Sequence, residues 1–335
     1  MKNVVTIDEI REMELVSSDS FKEYIKLLAS DLPSYFKENE GKKQECCPAC
    51  DSPNYVDQFK KLGFQYRICE NCGTLFVSHK PTDEALQDYY SNSQSCRFYY
   101  ESFISKFEEG RSKKLFLKRC DWILDSVIEC DASKNSYLDI RTKYPILFQS
   151  IAETNFFKKV SSYRPIFGDL KKAPGSNEVV ESLKDIESSS ISVISAFEFL
   201  DNIFTPDLFI KNIHRILSDK GLFFLTTRCI SGFDMQVLWE NSNSILPPEH
   251  INIFSIEGLI QFFEKNSFEI KELSTPGQLD LDIVANAMKQ HPEIQVPKFI
   301  EYLIKNREES AYLSFKEFLQ KNRLSSHTRI VVQKI

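Results

Sequence analysis

Four cysteines stand in two short pairs, Cys47 and Cys50 in Cys-Pro-Ala-Cys and Cys69 and Cys72 in Cys-Glu-Asn-Cys-Gly. A two-residue spacer lets one tight turn aim two thiolates at a single point. The 18 residues between the pairs fall within the spacing of four-thiolate zinc sites. The pattern predicts a structural Zn, because four thiolates fill the tetrahedron and leave no position for water or substrate. Between the pairs, Phe64-Gln65-Tyr66-Arg67-Ile68 alternates as a strand does, and Gly73 allows positive φ just after the last ligand. Cys46 is read as a bystander. Cys96, Cys120, Cys130 and Cys229 are read as small buried apolar residues rather than nucleophiles.

The elements around these residues divide the chain into four parts. Residues 1–43 form a helical lead-in, with Phe21, Tyr24, Ile25 and Leu28 at helical spacing. The zinc ribbon spans 44–80, and a helical linker follows over 81–130. From 131 to 335, short apolar runs alternate with helices. The strands are expected at Tyr137–Ile140, Lys159–Ser162, Ile191–Ser195, Leu222–Thr226, Phe268–Leu273 and Arg329–Val332. Helices are expected at 146–153, through Leu208, Ile210, Ile213 and Leu217, and at 256–265, with Asp219-Lys220-Gly221 as a turn. Such alternation predicts a parallel-rich, doubly wound α/β sheet.

Composition narrows the function. With 42 basic and 48 acidic side chains the net charge is −6, which argues against a general binder of nucleic-acid phosphates. Met1–Leu15 lacks the cationic start and apolar run of a secretory signal, and no stretch approaches the ~20 apolar residues that span a bilayer. The chain is therefore expected to be cytoplasmic and off the membrane, with reduced cysteines.

Several segments carry a family resemblance: CGTLFVSHKPTDEALQDYY (72–90), FEFLDNIFTPDLFIKNIHRILSDKGLFFLTT (197–227), SGFD (231–234), PPEHINIF (247–254), TPGQLDLDIV (275–284) and SSHTRIVVQK (325–334). In these the chain resembles bacterial class I S-adenosylmethionine (SAM)-dependent methyltransferases that carry an N-terminal zinc ribbon. The resemblance implies a Rossmann-like sheet with an antiparallel final strand. It also implies SAM as cofactor, and a sugar-nucleotide or glycan-precursor substrate by analogy with relatives. His250 and Glu249 would then lie in a loop over the cofactor cleft. His250 is the first candidate general base, with hydrogen bonding to the loop backbone as the alternative. Glu198, with Asp201, follows the fourth strand, where relatives place acids near the reaction centre; the alternative is a helix-start acid. Asp280 and Asp282 are read as helix caps and His327 as structural.

The chain departs from the family at the cofactor pocket. After Asp139, the positions of three expected glycines hold Arg141, Lys143 and Pro145. Long side chains and a fixed φ would fill the space where backbone approaches the cofactor, and two cations would repel its sulfonium. Arg164 stands where a ribose-binding acid is expected, and Ser192 replaces an expected aspartate. Three readings follow: a pseudoenzyme that binds a ligand or a protein partner, an active methyltransferase with a rearranged loop, and a binder of an anionic nucleotide held by Arg141, Lys143 and Arg164.

Overall fold

The computed structural model describes residues 1–5, 18–37, 40–104, 111–140, 145–163, 178–180, 182–277 and 279–335. The first helix, α1 (Ser18–Tyr35), buries Tyr24, Leu28 and Leu32, one residue per turn on one face. Full burial of a leucine such as Leu28 contributes about 1.5–3 kcal/mol. Five short strands follow: β1 (Lys42–Lys43), β2 (Tyr55–Lys61), β3 (Phe64–Cys69), β4 (Leu75–Val77) and β5 (His79–Lys80). β2, β3 and β4 form an antiparallel meander, and β1 pairs with β5. Along β3 the buried Phe64 and Tyr66 alternate with half-buried neighbours, as the sequence pattern predicts.

The linker opens with α2 (Asp83–Asn92), capped by Thr82, whose Oγ1 accepts from the Ala85 amide at 3.2 Å. Next come α3 (Gln94–Tyr99), extended by a π-helical turn over Tyr100–Ile104, and α4 (Arg111–Glu129). Tyr99 and Phe103 pack on Tyr24 with ring centroids 5.2 and 6.0 Å away, so α1 and α3 share one aromatic core.

The second half alternates as expected. β6 (Ser136–Ile140), α5 (Pro145–Glu153), β7 (Lys159–Tyr163), β8 (Glu178–Val180), β9 (Ile191–Phe197), α6 (Pro206–Ile216) and β10 (Leu217–Arg228) come first. Then follow α7 (Phe233–Leu238), β11 (Asn252–Ile253), α8 (Ile256–Lys265), β12 (Phe268–Ser274), α9 (Asp280–Gln290), α10 (Lys298–Asn306), α11 (Glu309–Lys321) and β13 (His327–Lys334). Among the described residues the main sheet has seven strands, ordered β12-β13-β10-β9-β6-β7-β8. The five from β10 to β8 run parallel, and β13 lies antiparallel to both neighbours. β6 and β9 are buried along their whole length, which both-faced helix cover requires. One boundary differs from expectation. Leu217 already pairs with Ile191, so Asp219 and Lys220 sit in a bulge of β10, with Lys220 at φ 58°, rather than in a turn before it. Among the described residues, no helix is long and apolar enough to cross a membrane.

A strand pairing and a close helix contact help bind the halves together. β11 pairs antiparallel with β4, so residues 252–253 complete the ribbon's sheet. At the start of α8, a Cβ on Gly258 would lie 2.2 Å from Thr74 Oγ1, so only glycine permits this closeness. Cys47 and Phe76 of the ribbon then share one apolar core with Phe254, Leu259 and the main sheet.

Candidate functional site

The cysteine cluster is built by the two turns. Cys47 N–H donates to the Ser52 carbonyl and Asp51 N–H to that of Cys47, both near 3 Å, while Gly73 N–H donates to Cys69 O at 2.9 Å. Gly73 has φ 74°, as its place after the last thiol demands. These turns bring all four sulfurs within 4.8 Å of one another, with Cys47–Cys72 and Cys50–Cys69 each at 3.6 Å. A tetrahedron of Zn–S bonds of about 2.3 Å sets its sulfurs about 3.8 Å apart. The set is buried except for the half-buried Cys50, and the Ala49 amide donates to Cys47 Sγ at 3.4 Å. A hydrogen bond from Cys47 pushes the Cys72 thiol down to about 5, while Cys47, the donor, is pushed up. The donor set fits zinc, which would cross-link the two turns. Cys46 is exposed and stands outside the cluster, whereas Cys120 and Cys229 are buried as expected and Cys96 and Cys130 are half-buried.

The second site lies where β9 and β10 end and β13 begins, at one edge of the sheet. Ligands of open α/β sheets bind outside the carboxyl ends of the strands. Glu198 follows β9 with φ 50°, an uncommon backbone for a residue with a Cβ. Its Oε1 meets Arg119 Nη2 at 3.0 Å, His327 Nε2 at 3.0 Å and Thr226 Oγ1 at 2.9 Å. Burial works to raise its carboxyl, yet His327, Arg119 and Arg228 outweigh that and hold it well below the usual range. Asp201, fully buried in the 3₁₀ turn Leu200–Asn202, accepts from Arg228 Nη1 at 3.2 Å. Both acids are thus ion-paired, and Asp201 also lies in the first turn of its 3₁₀ helix. His327, read from sequence as structural, instead stands at this site. It lies 129 positions from Glu198, and no local signal links the two.

His250 is stitched into its loop. Its Nδ1 accepts the Leu246 amide at 3.0 Å, which places the neutral ring's proton on Nε2, and its carbonyl accepts from Tyr66 OH at 2.7 Å. Asp201 O accepts the Ile251 amide at 2.9 Å, so the loop bridges the ribbon and the end of β9. The Pro247–Pro248 peptide in this loop is cis. Glu249 is half-buried, and its charge bears on Tyr24 and Cys96; burial first, then Glu249 among other groups, keeps the Cys96 thiol up at about 11.

At the cofactor crevice, Asp139 ends β6 almost fully buried and turned into the sheet. Tyr137 OH lies 2.6 Å from Ser195 Oγ, which donates to Asp139 Oδ1 at 2.6 Å. Ser192 is buried and gives its amide to Ser136 Oγ at 3.0 Å. Arg141, Lys143 and Arg164 lie outside the described residues. Of these pocket positions the structure describes Asp139 and Ser192. The acid at the family's loop is already bonded within the sheet, and the glycine positions carry long or rigid side chains.

Asp280 and Asp282 do not cap α9, whose N-cap is Leu279 with no side-chain hydrogen bond. Asp280 accepts from Ser325 Oγ and the Ser326 amide, and Asp282 from Lys316 Nζ.

Residues 116–273 match the family model described as a methyltransferase domain. With that match and this strand order, residues 116–273 are similar to the domain of class I SAM-dependent methyltransferases. Solved structures with similar folds include a SAM-dependent methyltransferase from Archaeoglobus fulgidus. It is 15% identical, with TM-score 0.45, and the match covers 70% of this chain and 100% of that one. Another is the cyclopropane synthase MmaA2 from Mycobacterium tuberculosis, 17% identical with TM-score 0.37, covering 65% and 84%. No curated protein matches the sequence.

Proposed function

We propose that this methyltransferase-like protein no longer transfers methyl groups and uses its crevice to hold a ligand. The observation that carries the reading is Glu198, the acid that follows β9, whose Oε1 already takes three donors. Asp139, Asp201 and His250 Nδ1 are committed in the same way to Ser195, Arg228 and Leu246. The ligand class that suits Arg141, Lys143 and Arg164 in sequence is an anion such as a nucleoside diphosphate. A sugar nucleotide of a glycan pathway, in the cytoplasm, is the setting that the family resemblance supports, and a protein partner is the other outlet for such a fold. The test is turnover: zinc-loaded protein given SAM and a set of UDP- and dTDP-hexoses should release no S-adenosylhomocysteine above blank. Sustained release contradicts the reading. In a parallel binding assay, UDP should bind the wild type and be lost in Arg141→Ala/Arg164→Ala; equal affinity would remove the anion assignment.

One observation favours an active methyltransferase instead. The His327 side chain is 35% exposed, its Nε2 is oriented by Glu198, and its Nδ1 makes no hydrogen bond among the described residues. A histidine so held can receive a proton from an acceptor hydroxyl at Nδ1. In that reading, turnover falls with His327→Gln.

A further inference from the structure

Three of the segments that carry the family resemblance meet at a point the crevice does not use. Asp234, on α7, is fully buried, and Asp280, at the start of α9, is 3% exposed. α7 packs against α9 and sets these two buried carboxyl groups beside one another, and two carboxylates so placed cannot both ionise. Ser244 Oγ donates to Asp234 Oδ2 at 3.0 Å, while Oδ1 of Asp234 has no hydrogen-bond partner among the described residues. Ser325 Oγ and the Ser326 amide donate to Asp280 at 2.5 and 2.8 Å. The approach is close: a Cβ on Gly232 would lie 2.1 Å from Ser326 Cα.

The pair therefore grips two segments that lead directly to the candidate site. Ser244 lies three residues before Pro247 of the Glu249–His250 loop, and Ser326 immediately precedes His327. We propose that Asp234 and Asp280 hold one proton between them and act as a pH-sensitive clamp on residues 242–250 and 324–328, the two segments that bear Glu249, His250 and His327.

Other charges do not relieve the pair. From the packed elements, the titratable groups are Asp280 on α9 and Cys229 just after β10, whose thiol burial pushes up to about 12 and which feels Glu257 and Asp280. His327 is turned to Glu198 and Asp282 to Lys316. Among the described residues, no lysine or arginine forms an ion pair with Asp234 or Asp280. Burial first, then Asp280, pushes the Asp234 carboxyl up to about 7. An acid raised on folding stabilises most below its unfolded pKa of about 3.9, and that stability drains away as pH rises towards the folded value. Above neutrality two buried carboxylates repel and the clamp loosens.

The test uses the full zinc-loaded chain from about pH 5 to about pH 8. Wild-type Tm should fall across this range, with the folding constant dropping on the order of a hundredfold. Asp234→Asn donates an amide hydrogen to Asp280 and should flatten that dependence. Amide exchange over 242–250 and 324–328, corrected for intrinsic rates, should open with rising pH in the wild type and not in the variant. Should the variant fail to fold, infrared titration of the wild type decides: a buried protonated carboxyl band should persist at about pH 6 and vanish above about 7. Parallel pH curves for the two proteins, or no such band, overturn the proposal.

Discussion

Glu198 illustrates what charge does at one residue when its surroundings are complete. The Arg119 guanidinium, the Thr226 hydroxyl and His327 Nε2 meet on a single oxygen, so the carboxylate orders three elements at once. Glu198→Gln should lower stability at pH 7 by about 1–3 kcal/mol, because it leaves Arg119 without its counter-ion in a half-buried place. Its folded pKa is depressed, so the stability it contributes is present above the unfolded value of about 4.3 and lost as pH falls through the folded one. Urea titrations should therefore separate wild type from variant at pH 7 and bring them together in acid; a constant gap would contradict the ion-pair account. The four cysteines were legible in sequence because two-residue spacing is a local signal. The Glu198–His327 pair was not, since it forms only when β13 folds back beside β10. Asp280 was read as a cap because it starts a helix, yet two donors from the lead into β13 claim its carboxylate.

At the scale of elements, periodicity carried most of the secondary structure. α8 and β12 fall where the apolar spacing put them, and β13 extends a little beyond its predicted core. Strands of two residues leave no period to read, so β11 and its pairing with β4 went unseen. That pairing, with the contact of Gly258 against Thr74, makes α8 the surface on which the cysteine turns rest. The Ser255 hydroxyl caps the helix, accepting the Gly258 amide at 2.8 Å while donating to the Cys72 carbonyl. Gly258→Ala should cost about 1–3 kcal/mol through overpacking and speed zinc loss to a chelator. Chelator kinetics indistinguishable from wild type would show that helix and turn yield to one another.

For the whole molecule, the cysteine cluster and the crevice belong to one body. The ribbon sheet ends in residues 252–253, and the loop that places His250 is held by Tyr66 of β3. Cys69→Ser with Cys72→Ser should release zinc and unfold the ribbon, because metal binding and local folding are coupled. Amide exchange should then rise over residues 246–254 as well as over the turns. Exchange confined to the turns would show that the halves fold separately, and full zinc retention would refute the ligand set. The antiparallel setting of β13 was legible through the family segments rather than through any one element. The pocket's departure is a reading of the sequence alone, because Arg141, Lys143 and Arg164 lie outside the described residues.

The loss of cofactor binding is the central claim, and isothermal titration calorimetry tests it most directly. Zinc-loaded wild type would be titrated in parallel with SAM and with S-adenosylhomocysteine. No detectable heat from either is the predicted result. Saturable binding of both at micromolar strength would contradict it, and would favour His327 as a base oriented by Glu198.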